Sequence, residues 1–123
     1  MTQAFVPHFN IWIEREGQVA LSGWRVTLLE AVAATGSISA AAEQVEVPYR
    51  VAWRKIKEME QGLGVTLLQT RIGGPDGGGA ELTQAAQAYI RRYHALSDGL
   101  DDWIKQRFAA VFTEPLYRAE QND

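Results

Sequence analysis

Apolar and polar residues alternate from Phe9 to Leu21 on either side of Glu16-Gly17. A period of two around such a pair predicts a β-hairpin over 9–21 with its turn at those residues. From Arg25 the period changes. Val26, Leu28, Leu29, Val32 and Ala33 fall at helical spacing, which predicts a first helix that Gly36 stops. Ser37 and Ser39 are candidate caps for a second helix over Ile38 to Gln44, and its Ala40-Ala41-Ala42 run suits close packing against a crossing helix. Val45-Glu46-Val47 makes a turn, and Pro48 opens a third helix, where its missing N–H costs nothing. Over that helix, 48–62, Ala52, Ile56, Met59 and Leu63 recur at intervals of four, three and four and share one face. Tyr49, Arg50, Trp53, Arg54 and Lys57 point away from it. Gly62 and Gly64 end it.

Val65 to Ile72 then predicts a strand, and Ala80 to Leu82 a short partner, joined by Gly73-Gly-Pro-Asp-Gly-Gly-Gly79. Two strands and a loop that follow such a helix form a wing over 65–82. Thr83 caps a long helix over 84–112, along which Tyr89, Tyr93, Leu96, Leu100 and Trp103 keep a four-three-four-three spacing. That narrow seam predicts a partner helix from a second copy of the chain. Gly99 weakens the helix by about 1 kcal/mol relative to Ala. Residues 113–123 form a tail. The elements describe one domain over 1–123 in the α+β class, mainly α. It is a winged helix-turn-helix with an N-terminal hairpin, three helices within 24–64, and a C-terminal dimerisation helix.

Charge sharpens the picture. The chain carries a net charge of -3, yet between Val47 and Lys57 there are four basic residues, Arg50, Arg54, Lys55 and Lys57, and no acidic one. From Asp98 to Asp123 six acidic residues face three basic ones. An acidic body with one basic helix face steers a polyanion to that face; the plainer alternative is a solvated helix surface. The chain has no cysteine, which excludes disulfides, thiolate zinc sites and cysteine nucleophiles and suits a reducing cytoplasm. No apolar run approaches the length of a membrane span, and the N-terminus lacks the continuous apolar stretch of a secretory signal.

The glycine-rich loop lacks the Gly-Lys-Ser/Thr ending of a phosphate-binding P-loop and joins two strands instead of opening a helix. Its side-chain-poor backbone suits close approach to a nucleic-acid groove. Catalysis finds no support: the two histidines, His8 and His94, fall in unrelated segments, and Asp98, Asp101 and Asp102 read as a solvated helix face. The expectation is a protein that is not an enzyme and holds no metal or cofactor.

One combination is more specific. Gly36-Ser-Ile-Ser39 with Ala41-Ala42 is followed by Tyr49, Ala52-Trp53, Ile56 and Glu58-Met59, then by Gly73-Gly74, Gly77-Gly-Gly-Ala80 and Leu82-Thr83. From Leu21 to about Leu100 the chain resembles the N-terminal DNA-binding domain of the ModE molybdate-responsive regulators. A weaker similarity, through Ser37-Ile-Ser-Ala-Ala-Ala-Glu43 and Leu63-Gly-Val-Thr-Leu-Leu68, extends to the LysR regulators. The resemblance implies a transcriptional regulator that binds double-stranded DNA as a homodimer on an inverted repeat, with helix 48–62 in the major groove.

On that reading Arg50 and Arg54 contact guanine edges or phosphates, Lys55, Lys57 and Tyr49 contact the backbone, and Ser37 and Ser39 lie by a phosphate. Trp53 either offers an edge to the groove or fills space between the first and third helices. Arg71, at the base of the wing formed by Gly73, Gly74, Gly77, Gly78 and Gly79, is a further contact. A module that pairs with another regulator, with DNA contact secondary, is the alternative. The sequence departs from the family at Glu46, where a glycine is usual, at Pro48 in place of a serine cap, and at Ala86 in place of a glycine. The family's molybdate-binding domains follow the matched region, so no molybdate site carries over and the effector stays unassigned.

Overall fold

A computed structural model describes residues 5–71 and 79–113. Most of the wing loop, with Gly73, Gly74, Gly77 and Gly78, and the tail from 114 lie outside the described residues. Strands β1 (Trp12–Arg15) and β2 (Gln18–Ser22) pair antiparallel from Trp12↔Ser22 to Arg15↔Gln18, with a bulge between Ile13 and Glu14. Glu16 and Gly17 both take positive φ (53° and 78°), the turn whose twist matches the flanking strands. The expected hairpin is present with the expected turn.

Three helices follow: α1 (Gly23–Thr35), α2 (Ile38–Gln44) and α3 (Tyr49–Leu63). Ser22 caps α1, its side-chain oxygen accepting from the Arg25 N–H at 3.2 Å, and Gly36 (φ 76°) closes it by donating to the Val32 carbonyl. Of the two candidate caps for α2, Ser37 serves: its Oγ accepts from the Ala40 N–H at 2.9 Å. Ser39 is already inside the helix and exposed. At the end of α2, Glu46 donates to the Glu43 carbonyl and Val47 to the Ala42 carbonyl, a Schellman closure with Glu46 at φ 61°. Pro48 precedes α3, and its carbonyl accepts from Val51 and Ala52.

Gly64 (φ 73°) ends α3, whereas Gly62, expected at the terminus, is inside the helix. A Cβ at Gly62 would lie 3.2 Å from the Ala20 Cβ, so this glycine is what lets α3 rest against β2. The core is built from Val26, Leu28, Leu29 and Val32 of α1, Ala41 and Ala42 of α2, and Ala52, Ile56 and Met59 of α3. Leu67 closes it from the wing side. Ala86, where the family has glycine, is fully buried there and fills space with its methyl group.

The wing pairs β3 (Leu68–Arg71) with β4 (Gly79–Leu82), antiparallel and in register from Leu68↔Leu82 to Arg71↔Gly79. β3 starts three residues later than the pattern predicts, because residues 65–67 are engaged otherwise. The Leu67 N–H donates to Glu60 and its carbonyl accepts from the Thr83 N–H, while the Thr66 carbonyl accepts from the Thr83 hydroxyl. Ala80 donates to the Gly36 carbonyl at 2.8 Å, which ties the wing to the α1–α2 turn.

Thr83 caps the C-terminal helical region as expected, accepting from the Ala86 N–H. The helix expected over 84–112 is present in two segments, α4 (Gln84–Ser97) and α5 (Leu100–Val111). Between them Gly99 takes the left-handed conformation (φ 83°). The described residues gather into two compact units, one over 10–96 and a smaller one formed by 5–9 with 97–113. Among them no helix is long and apolar enough to cross a membrane.

Glu46 gives a direct test of this geometry. A left-handed conformation costs a residue with a Cβ about 1–2 kcal/mol, partly offset by the lower entropy of its unfolded chain compared with glycine. Glu46→Gly is expected to stabilise the protein by about 0.5–1 kcal/mol in urea unfolding. A loss of stability would contradict the assigned turn.

Candidate nucleic-acid interface

Successive residues of a helix are turned by about 100°, so burying one stripe of α3 fixes where every other side chain points. Ala52, Ile56 and Met59 are fully or almost fully buried. Opposite them Arg50, Trp53, Arg54 and Lys57 are exposed, and Tyr49 is exposed at the start of the helix. Trp53 does not fill space between α1 and α3. It is 46% exposed, and the Lys57 ammonium lies 5.5 Å from its ring centre, in cation–π range.

Two carboxylates organise the cations of this helix. Glu58 receives three: Arg25 Nη2 at 3.3 Å, Lys55 Nζ at 3.6 Å and Arg54 Nε at 4.0 Å. Arg25 comes from α1 and is buried; its second guanidinium nitrogen, Nη1, donates to the Lys55 carbonyl. Glu60 accepts from the Leu67 N–H at 2.8 Å and pairs with Lys57 at 3.3 Å, so it joins α3 to the entrance of the wing. Arg50 and Arg71 carry no ion pair or side-chain hydrogen bond among the described residues.

The expected contact residues converge in part. Ser37, Ser39, Tyr49 and Arg71 line one open cleft of about 250 Å³, together with Ile38, Thr70, Gly79 and Ala80. It lies between the start of α2, the start of α3 and the base of the wing. Gly79 packs at this corner: a Cβ there would lie 3.4 Å from both Arg71 Nη2 and the Gly36 carbonyl oxygen, at van der Waals contact. Arg54, Lys55 and Lys57 lie further along α3. Arg25, Glu58 and Glu60 were not among the expected site residues. Spacing of three or four from Arg54, Lys55 and Lys57 was the available signal for the two glutamates. Arg25 carried none, because its partners lie on another helix.

The seam expected for a second copy needs correction. Tyr93 is 8% exposed, and its hydroxyl donates to the Ile11 carbonyl at 2.8 Å, so it packs inside its own protomer. Burial pushes its pKa above the ordinary tyrosine value, which keeps the hydroxyl a donor. Tyr89 is partly buried against the same core, with the Arg92 guanidinium over its ring. Leu96 on α4 and Leu100 and Trp103 on α5 are exposed. The regular spacing merged two roles: Tyr89 and Tyr93 pack on their own protomer, whereas Leu96, Leu100 and Trp103 are exposed.

Comparison with known proteins agrees with this architecture. Residues 25–87 match the family described as bacterial regulatory helix-turn-helix protein, lysR family. The chain is 40% identical over 91 residues to the molybdenum-pterin-binding protein MopB of Rhodobacter capsulatus, covering 74% of this chain and 33% of that protein. It is 40% identical over 73 residues to the DNA-binding transcriptional dual regulator ModE of Escherichia coli (strain K12), covering 59% of this chain and 28% of that protein. The chain thus spans about a third of the length of these curated relatives. Among solved structures it is similar to the CbnR_DBD-DNA complex, with a TM-score of 0.53 and 31% identity, covering 71% of this chain and 95% of that one. Full-length CbnR complexed with its target DNA gives 0.55 and 28%, covering 72% and 29%. The expected winged helix-turn-helix and the likeness to ModE and LysR regulators are both borne out.

The tie between α3 and the wing is testable. Glu60→Ala leaves the buried Leu67 N–H without its charged acceptor and is expected to cost about 2 kcal/mol in urea unfolding. Lys57→Ala removes only the exposed partner of the same carboxylate and is expected to cost less than about 0.5 kcal/mol. Equal effects would show that Glu60 does not hold the wing.

Proposed function

Because this chain belongs to the lysR family of bacterial regulatory helix-turn-helix proteins, we propose that it binds double-stranded DNA as a homodimer and regulates transcription, with α3 in the major groove. One observation carries the reading: the buried stripe Ala52, Ile56 and Met59 turns Arg50, Trp53 and Arg54 outward together. Arg50 and Arg54 read guanine edges or hold phosphates, and Lys55 and Lys57 add phosphate contacts. Tyr49, Ser37, Ser39 and Arg71 surround the adjoining cleft, where a backbone phosphate would lie.

The second copy is supported by the apolar residues that the protomer leaves uncovered. α5 has no buried residue, and Leu96, Leu100 and Trp103 are 51%, 37% and 57% exposed. A two-fold pair of such domains offers two recognition helices about 34 Å apart, which calls for an inverted repeat with half-sites about one helical turn apart or a multiple of it. Names among the relatives, molybdenum-pterin-binding protein and ModE, point to molybdenum-linked regulation, but they belong to proteins about three times as long as the matched span. Nothing in the described residues favours one effector.

Fluorescence anisotropy on a duplex enriched from a randomised pool tests the reading. Affinity is expected to fall by about 10³ between 50 mM and 200 mM salt, as for a protein that makes some six phosphate contacts. Arg54→Glu is expected to lower affinity by about 100-fold or more with an unchanged unfolding midpoint. Retained affinity in a folded Arg54→Glu protein would remove α3 from the interface.

A further inference from the structure

Glu58 sets an acidic group beside the outward cations of a helix that is proposed to meet a polyanion. That placement opposes binding by simple attraction. Its carboxylate is also not free to swing aside. Buried Arg25 holds one of its oxygens at 3.3 Å and holds the α3 backbone through the Lys55 carbonyl at 3.3 Å. The other oxygen, Oε2, faces Arg54 at Nε, 4.0 Å away.

The guanidinium is a rigid planar fork, so whatever holds Nε also aims the two terminal nitrogens. A guanidinium whose Nε faces a carboxylate leaves its two terminal nitrogens available as the paired donors that suit guanine O6 and N7. A phosphate, in contrast, meets the Glu58 charge as well as the Arg54 charge and gains little.

We propose that Glu58 is a positioning residue for sequence discrimination. Anchored by Arg25, it aims Arg54 at a base edge and weakens the capture of non-specific phosphates by Arg54 and Lys55. The inference rests on the DNA-binding reading above and assigns this carboxylate the share of specificity that acts through Arg54.

The test measures binding of the full chain to an enriched duplex and to a scrambled duplex of the same length, across a salt series. Glu58→Gln keeps an acceptor for Arg25 and removes the charge. Non-specific affinity is expected to rise about tenfold at 0.1 M salt and its salt slope to steepen by about one, the signature of one more cation released to phosphate. Affinity for the enriched duplex is expected to fall about threefold as Arg54 loses its aim, so discrimination falls. Glu58→Asp retains the charge partner of Arg25 and is expected to keep non-specific binding weak. It serves as the reference should the Gln variant melt below the assay temperature. In an Arg54→Ala background most of the Glu58→Gln effect is expected to vanish.

An unchanged discrimination ratio and salt slope in Glu58→Gln, or an effect that persists in full without Arg54, overturns the proposal while leaving DNA binding intact. A wild-type chain that binds neither duplex overturns both this assignment and the reading beneath it.

Discussion

The rotation of α3 about its own axis is the constraint on which the rest depends. Ala52, Ile56 and Met59 interlock with Leu28, Leu29 and Val32 in a core that excludes water. Burying side chains such as Ile56 and Met59 is worth about 1.5–3 kcal/mol each. Turning the helix by a single residue would expose that stripe and press Trp53, Lys57 and Glu60 toward the core, which no local gain offsets. The basic face is therefore held outward by apolar packing behind it. Gly62 sets how closely α3 meets β2, and Arg25 and Glu60 clamp it to α1 and the wing.

Electrostatics act on top of that frame. The chain is acidic overall, so the cations of α3 matter by position and not by number. Arg54, Lys55 and Lys57 each lie within ion-pair range of a carboxylate, while Arg50 and Arg71 stand apart from any among the described residues. Exposed ion pairs contribute little to stability. Their weight on the proposed reading lies in orientation. They aim some side chains and leave others free to follow a phosphate backbone.

Much of this was legible in the sequence because it is local. Period-two alternation around Glu16-Gly17 located the hairpin, glycines at 36 and 64 closed helices, and the four-three-four spacing gave the buried face of α3. The departure at Glu46, where the family usually has glycine, falls on a turn that requires positive φ, and Glu adopts it. The failures share one cause. Tyr93 kept the spacing of an intersubunit seam, but its partner, the Ile11 carbonyl, lies 82 residues away in sequence. β3 began late because Glu60 claims the preceding backbone. The seam spacing runs through Gly99 because a single glycine costs a helix only about 1 kcal/mol, too little to interrupt a periodic pattern. Arg25 sits in an apolar helix, and nothing in its neighbours announces a partner on α3.

Entry of α3 into the major groove is reported by guanine N7, which lies in that groove and not in the minor one. Dimethyl sulfate protection on an enriched duplex, with the wild-type chain and with Arg50→Ala, tests it most directly. Protected guanine N7 positions are expected in two patches related by a two-fold axis and about one helical turn apart. Arg50→Ala is expected to lose protection at one position in each patch. Binding that protects phosphates while leaving every guanine N7 reactive would contradict it.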